Sequence, residues 1–213
     1  MLIKKARPRT QDERSSTMRA LLIEATLDTM CESGYNGTTL VAIVKKAGVT
    51  RGALHHHFDS KDDLVVDAIS AMLTKGSSEI RGYAELVQDG TLSLSDFLDR
   101  VWKIFSGPFF MITLEQITAS RHNDVLKSRL VVVTRDFHAA LDETWRCFFT
   151  ANKSEHAQLE VILNATLCLL RGMGVQTVLR DDPKYYQRIL AFWKEILTTH
   201  TSITLKSKVL AEV

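Results

Sequence analysis

Between Gly34 and Lys61 the chain is punctuated so closely that only short helices joined by tight turns can occupy it. Thr39 is placed to cap a helix through Leu40, Ile43, Val44 and Ala47, which Gly48 closes after barely two turns. Thr50 can cap the next helix, through Leu54 and Phe58, and Ser60 with Asp63 resembles a capping box opening another. Upstream, Met18, Leu21, Leu22, Ala25 and Met30 recur at helical spacing from Arg14 to Ser33, with Gly34 as the stop signal. Four helix starts within about fifty residues leave connections of only a few residues.

The remainder continues in the same way. A fourth helix is expected from Lys61 past Met72 as far as Leu86, then a polar loop from Gly90 to Ser95. Phe97, Val101, Ile104 and Phe105 share a face until Gly107 and Pro108 interrupt, because proline lacks an amide and clashes with the preceding turn. Further helices run to Arg121, from Asp124 to Thr150, and from near Leu159 to Arg180. Asp182 and Pro183 form an N-cap and first-turn pair for a last helix, and the tail after Thr201 is expected to fray. With 3 prolines and 10 glycines in 213 residues there is little material for a turn-rich β fold, so the fold class is all-α. The expected organisation is a basic arm at 1–12, a small helical domain at 13–60, a larger one at 61–201, and a tail at 202–213.

Net charge is +2, but residues 1–61 carry 10 Lys/Arg against 6 Asp/Glu while the rest carry 17 against 19. The excess lies at the N-terminal end, where Lys4, Lys5, Arg7 and Arg9 form an arm attracted to phosphate, or else a solvated tail. Cys31, Cys147 and Cys168 are odd in number and sit in apolar helical stretches, which reads as buried thiols in a reducing compartment. No apolar stretch approaches the roughly 20 residues of a membrane span, so no membrane partner and a cytoplasmic location are expected.

Residues Gly37 to Lys61 follow the helix-turn-helix plan, two short capped helices joined by Ala47, Gly48 and Val49. Leu40, Ile43, Val44, Val49, Leu54 and Phe58 supply its core. Thr50, Arg51, His55 and His56 face outward, and Gly52 and Ala53 keep the second helix slim enough for a major groove about 12 Å wide. Through Glu32–Tyr35, Thr38–Leu40, Ala47–Leu54 and His56–Leu64 the chain resembles the TetR family of transcriptional repressors. The resemblance implies a nine-helix protomer, a homodimer and a C-terminal ligand pocket. His55 stands where the family usually has Tyr. Val41 stands where Arg is common, and Ala42 where an acidic residue would complete a capping box.

Expected phosphate contacts are Thr39, Thr50, His55 and Lys61, with Lys46 as a further partner. Arg51 is the candidate for reading guanine and His56 the second, while Ala53 lies against the groove. Each could instead be an ordinary surface residue. Consecutive residues on a helix diverge by about 100°, so His55, His56 and His57 do not suggest one metal, and no cofactor is expected. Gly172 and Gly174 lack a third glycine and a preceding strand, so they read as close-packing positions. No nucleophile, base and orienting residue are recognisable together, and a non-enzyme is expected. The rival is an all-helical enzyme or ligand carrier with a coincidental helix-turn-helix; an activator or nucleoid-type binder is a second alternative.

In the larger domain, Trp102, Phe105, Phe109, Phe110, Met111, Trp145, Phe148 and Met173 could wall a pocket for a small, mainly hydrophobic or aromatic effector. Glu115, Gln116, His122, Asn123 and Arg171 are its candidate polar contacts. The last two helices carry apolar stripes, Leu159, Ile162, Leu163, Thr166 and Leu170 on one and Ile189, Trp193 and Ile196 on the other. With Ala165, Gly172 and Gly174 these suit a four-helix bundle with a second copy. The expected partners are therefore double-stranded operator DNA, a small-molecule effector and a second protomer.

Overall fold

A computed structural model describes residues 10–150, 153–199 and 204–205, with side chains over 10–146 and 160–198. Its helices are α1 (Gln11–Gly37), α2 (Leu40–Ala47), α3 (Arg51–His55), α4 (Lys61–Gln88), α5 (Leu94–Phe105), α6 (Pro108–Ser120), α7 (Asp124–Phe148), α8 (Lys153–Thr177) and α9 (Pro183–Thr199). The basic residues Lys4 to Arg9 lie outside the described residues. The arm was expected to reach residue 12, but α1 already starts at Gln11, because Thr10 and Glu13 form a reciprocal capping box. Phe149 pairs with Leu205 and Thr150 with Thr204 in a short antiparallel bridge, so α7 stops two residues before the expected end and part of the expected tail is paired.

The predicted caps explain the starts of α2, α3, α4, α6 and α9 and the end of α2. Thr39, Thr50 and Ser60 each accept the amide three residues ahead, from Ala42, Ala53 and Asp63. Gly48 takes φ 66°, the left-handed conformation that ends α2. Pro108 occupies the first turn of α6, where its missing amide costs nothing, and Asp182 caps α9.

The apolar residues collect in two clusters. Leu22, Ala25, Ile43, Leu54, Phe58 and Leu64 form the smaller, beneath α1, α2 and α3. The larger runs through α4 to α9 and includes Ile69, Phe97, Phe105, Phe110, Phe137, Leu170 and Leu190. Helix α4 serves both, Leu64 facing the first and Val65 and Ile69 the second. Leu21 leaves the predicted stripe and is exposed, and Cys31 and Cys168 are exposed thiols rather than core residues. All three fall on the outward side of helices whose inward stripe is filled by neighbours. The Cys147 side chain lies outside the described residues.

Candidate nucleic-acid interface

Helix α3 is one and a half turns long and held at both ends. The Thr50 hydroxyl accepts the Ala53 amide at 3.2 Å, and the His57 amide donates to the Leu54 carbonyl at 2.9 Å. Leu54 is fully buried on Ile43, so the face of α3 carrying Arg51, His55 and His56 is turned to solvent. None of these three side chains has an ion-pair partner among the described residues, and Ala53 between them is half-buried. Thr39 and Thr50, both exposed, stand at the starts of α2 and α3, where amides point outward toward any phosphate. Lys46 is bonded to Glu32 at 2.6 Å, an exposed pair of the weak kind that an incoming phosphate can displace.

Lys61 departs from the expectation. Its ammonium does not reach outward: it donates to the Tyr35 carbonyl at 2.9 Å and lies 4.1 Å from the centre of the Tyr35 ring. Burial lowers its pKa, an effect that Asp62 opposes. The reason is the turn at Gly34, which brings Tyr35 over the start of α4. The sequence reading passed over Lys45, which is exposed in the last turn of α2 and carries no ion pair among the described residues.

That turn is also the junction between the two clusters. Gly34 takes φ 65° and ψ 178°, breaking α1 as predicted but leaving Tyr35 to Gly37 in a last turn. The break aims the Tyr35 amide at α6, where the Glu115 carboxylate accepts it at 2.6 Å. The Tyr35 hydroxyl donates to Asp62 at 3.2 Å, and the Asn123 side-chain amide donates to the same carboxylate at 3.3 Å. Burial, then Asp62, pushes the Tyr35 hydroxyl up. Asp63, bonded to Ser60 and to Arg129 of α7 at 2.6 Å, is held below the usual carboxylate range, chiefly by Ser60. The Glu32-Ser33-Gly34-Tyr35 run marked this place in the sequence, but nothing in it named Glu115 as the acceptor.

Among the described residues, the expected pocket residues line no common cavity. Phe105, Phe110, Trp145 and Met173 are buried in the core, and Phe109 packs half-buried over Gly76. Beside Trp145, Thr166 and Leu170 a void of about 20 Å³ remains, too small for an effector. Trp102 lies instead on a surface cleft, Arg171 bonds His138 at 2.9 Å, His122 is exposed, and Glu115 is turned to α1. Phe148 lies outside the described side chains. Gln116 is buried, with both amide atoms lacking a partner among the described residues.

The stripes assigned to a second copy are also largely internal. Leu163, Thr166 and Leu170 are buried in the protomer's own core; Ile162, Ile189, Trp193 and Ile196 are half-buried. Thr166 and Trp193 hydrogen-bond each other at 3.0 Å, joining α8 to α9. A Cβ on Gly174 would meet the Phe105 carbonyl at 2.5 Å, so this glycine serves the protomer's own packing. The Leu159 side chain lies outside the described residues. Among the described residues, the large apolar side chains exposed here are Val161 and Val175 on α8, Val178 and Leu179 in the turn after it, and Phe192 on α9, with Leu179 94% and Phe192 64% exposed.

Among the described residues no helix is long and apolar enough to cross a membrane. The sequence pattern described as bacterial regulatory proteins of the tetR family matches residues 22–68, which span α2, α3 and the flanking parts of α1 and α4. The transcriptional regulator BetI of Burkholderia mallei is 43% identical over 171 residues, covering 78% of this chain and 84% of that protein. CymR of Pseudomonas putida, also a helix-turn-helix regulator, is 24% identical over 181 residues, covering 85% and 89%. In structure, a protein from Mesorhizobium loti assigned to the TetR family overlays with a TM-score of 0.69 at 14% identity, covering 87% of this chain and 97% of that one. The multidrug-binding protein EbrR, crystallised with ethidium, gives 0.59 at 20% identity, covering 83% and 97%. With its capped helix pair, its all-helical body and a relative of this identity and coverage, the chain belongs to the TetR family of bacterial regulatory proteins.

Proposed function

We propose that this regulator binds a palindromic operator as a homodimer, acts as a repressor, and releases DNA when a small, mainly apolar molecule enters its larger cluster. The observation that carries this reading is the outward face of α3, where Arg51, His55 and His56 are exposed and have no ion-pair partner among the described residues, while Leu54 locks the helix to its support. Arg51 reads guanine through its two-pronged guanidinium, with His56 beside it. Thr39, Thr50, His55, Lys45 and Lys46 hold phosphates, which position the protein without selecting sequence.

A palindrome requires a twofold copy of α3 about 34–36 Å away, or a multiple of that distance. Val161, Cys168 and Val175 recur at helical spacing along the exposed side of α8, and with Leu179 in the turn beyond it and Phe192 of α9 they form an apolar face suited to a second protomer. Gly172 lies on the same stripe with open space above it, which favours close approach.

Gln116 supports the effector. An amide buried without partners is costly, by about 1–3 kcal/mol, and a ligand carrying one polar group among apolar ones would satisfy it. Gln116 adjoins Glu115, so displacement of α6 by a ligand is felt at Tyr35 and hence at the helix-turn-helix. A coupling of about 1–3 kcal/mol would lower operator affinity some 5–150-fold.

The test is a mobility-shift titration against promoter fragments, repeated over a range of salt. Arg51→Ala is expected to lose preference at one base position, at a cost of about 1–3 kcal/mol, and Lys45→Ala to weaken all duplexes alike with a shallower salt slope. Equal affinity of the wild type for every duplex, unchanged by Arg51→Ala, would overturn the reading.

A further inference from the structure

Away from the helix-turn-helix, a cleft of about 580 Å³ opens between α5, the end of α8 and the start of α9. Its size falls within the range of small-molecule sites, about 300–1,000 Å³. Trp102 and the buried Tyr186 form an aromatic wall, their ring centres 5.8 Å apart and inclined at 38°. Tyr186 is fixed there by its hydroxyl, which donates to the Arg180 carbonyl at 3.1 Å, and Leu190 extends the apolar surface.

The charges around this wall are of both signs, and most are matched. Asp99 pairs with Lys194 at 2.7 Å, and Asp182 with Arg180 at 3.0 Å. Lys103 and Asp181 also line the cleft, are exposed, and have no ion-pair partner among the described residues. A purely anionic ligand would face Asp181 unfavourably, and a purely cationic one would face Lys103.

From this pairing we infer a ligand site for a planar aromatic molecule carrying both a carboxylate and an ammonium group, the chemistry of an aromatic amino acid. The ring lies against Trp102 and Tyr186, the carboxylate meets Lys103 and the ammonium meets Asp181. Such a site is separate from the effector position at Gln116 and stands whether or not its occupant alters DNA binding. Two of its lining residues point away from the apolar face proposed for the dimer. Thr177 in the cleft follows the exposed Val175 by two positions, and Leu190 precedes Phe192 by two, which places each about 200° round its helix from the apolar face.

Calorimetric titration of the full chain with L-tryptophan, tryptamine and indole-3-propionate tests the inference. Tryptophan should bind most tightly, with the two singly charged analogues at least about fivefold weaker, equivalent to one lost ion pair of about 1 kcal/mol. Asp181→Asn should weaken tryptophan and tryptamine by a similar factor and spare indole-3-propionate; Lys103→Gln should do the reverse for the two analogues. Both side chains are exposed, so neither change threatens folding, and far-ultraviolet circular dichroism of each variant checks this. Absence of binding by all three compounds, or affinities indifferent to both substitutions in folded protein, would overturn the site.

Discussion

Glu115 is exposed, yet its carboxylate is engaged, because Gly34 turns the Tyr35 amide toward it. At φ 65° an L side chain is strained, and a Cβ at Gly34 would also meet the Glu115 carboxylate at 3.1 Å. Gly34→Ala should therefore destabilise the protein by about 1–2 kcal/mol. Glu115→Ala, which removes only the acceptor, should cost about 0.5–1.5 kcal/mol. Urea denaturation of both variants measures this, and a Gly34→Ala protein as stable as wild type would refute the strain. Single residues were unevenly legible. Thr39, Thr50, Ser60 and Asp182 could be placed from sequence because a cap is a local bond over three residues. Lys61 could not, since its partner Tyr35 lies 26 residues away and reaches it only through the break at Gly34.

At the scale of helices, periodicity located α2 to α7 and α9 well, set α8 from near Leu159 to Arg180 where it runs from Lys153 to Thr177, and did not reveal what each face touches. Gly172 and Gly174 looked like one small-residue patch. Two positions along a helix is about 200° of rotation, and the structure accordingly sends Gly174 into the protomer and Gly172 to the surface. Gly174→Ala should destabilise by about 1–3 kcal/mol through overpacking against the Phe105 carbonyl and the Phe110 ring. Gly172→Ala, with open space and better helix propensity, should be neutral or stabilising by up to about 1 kcal/mol. Thermal unfolding of the pair decides it; equal effects would mean the two faces are not distinct. The same ambiguity of face misplaced Leu163, Thr166 and Leu170, whose apolar stripe is filled by α5, α7 and α9 rather than by a second copy. The aromatic residues of α5 and α6 were legible as apolar, but whether they wall a pocket or fill a core depends on contacts between helices distant in sequence.

In the whole molecule, two clusters share α4 and are tied again by Tyr35, Glu115, Asp62 and Asn123. A shift of α6 or α4 against α1 therefore alters where α3 points, and in a dimer that alters the separation of the two α3 helices. Family and fold were legible early because the capped helix pair is compact in sequence. The proposed effector was not, because the shape of any pocket arises from the packing of six helices. Hydroxyl-radical footprinting of the protein on a promoter fragment that it shifts tests the central claim most directly. The account predicts two protected patches related by a dyad, their centres about 34–36 Å apart or a multiple of it, both needing a higher protein concentration in Arg51→Ala. Continuous protection with no dyad, or patches that persist unchanged in Arg51→Ala, would contradict it.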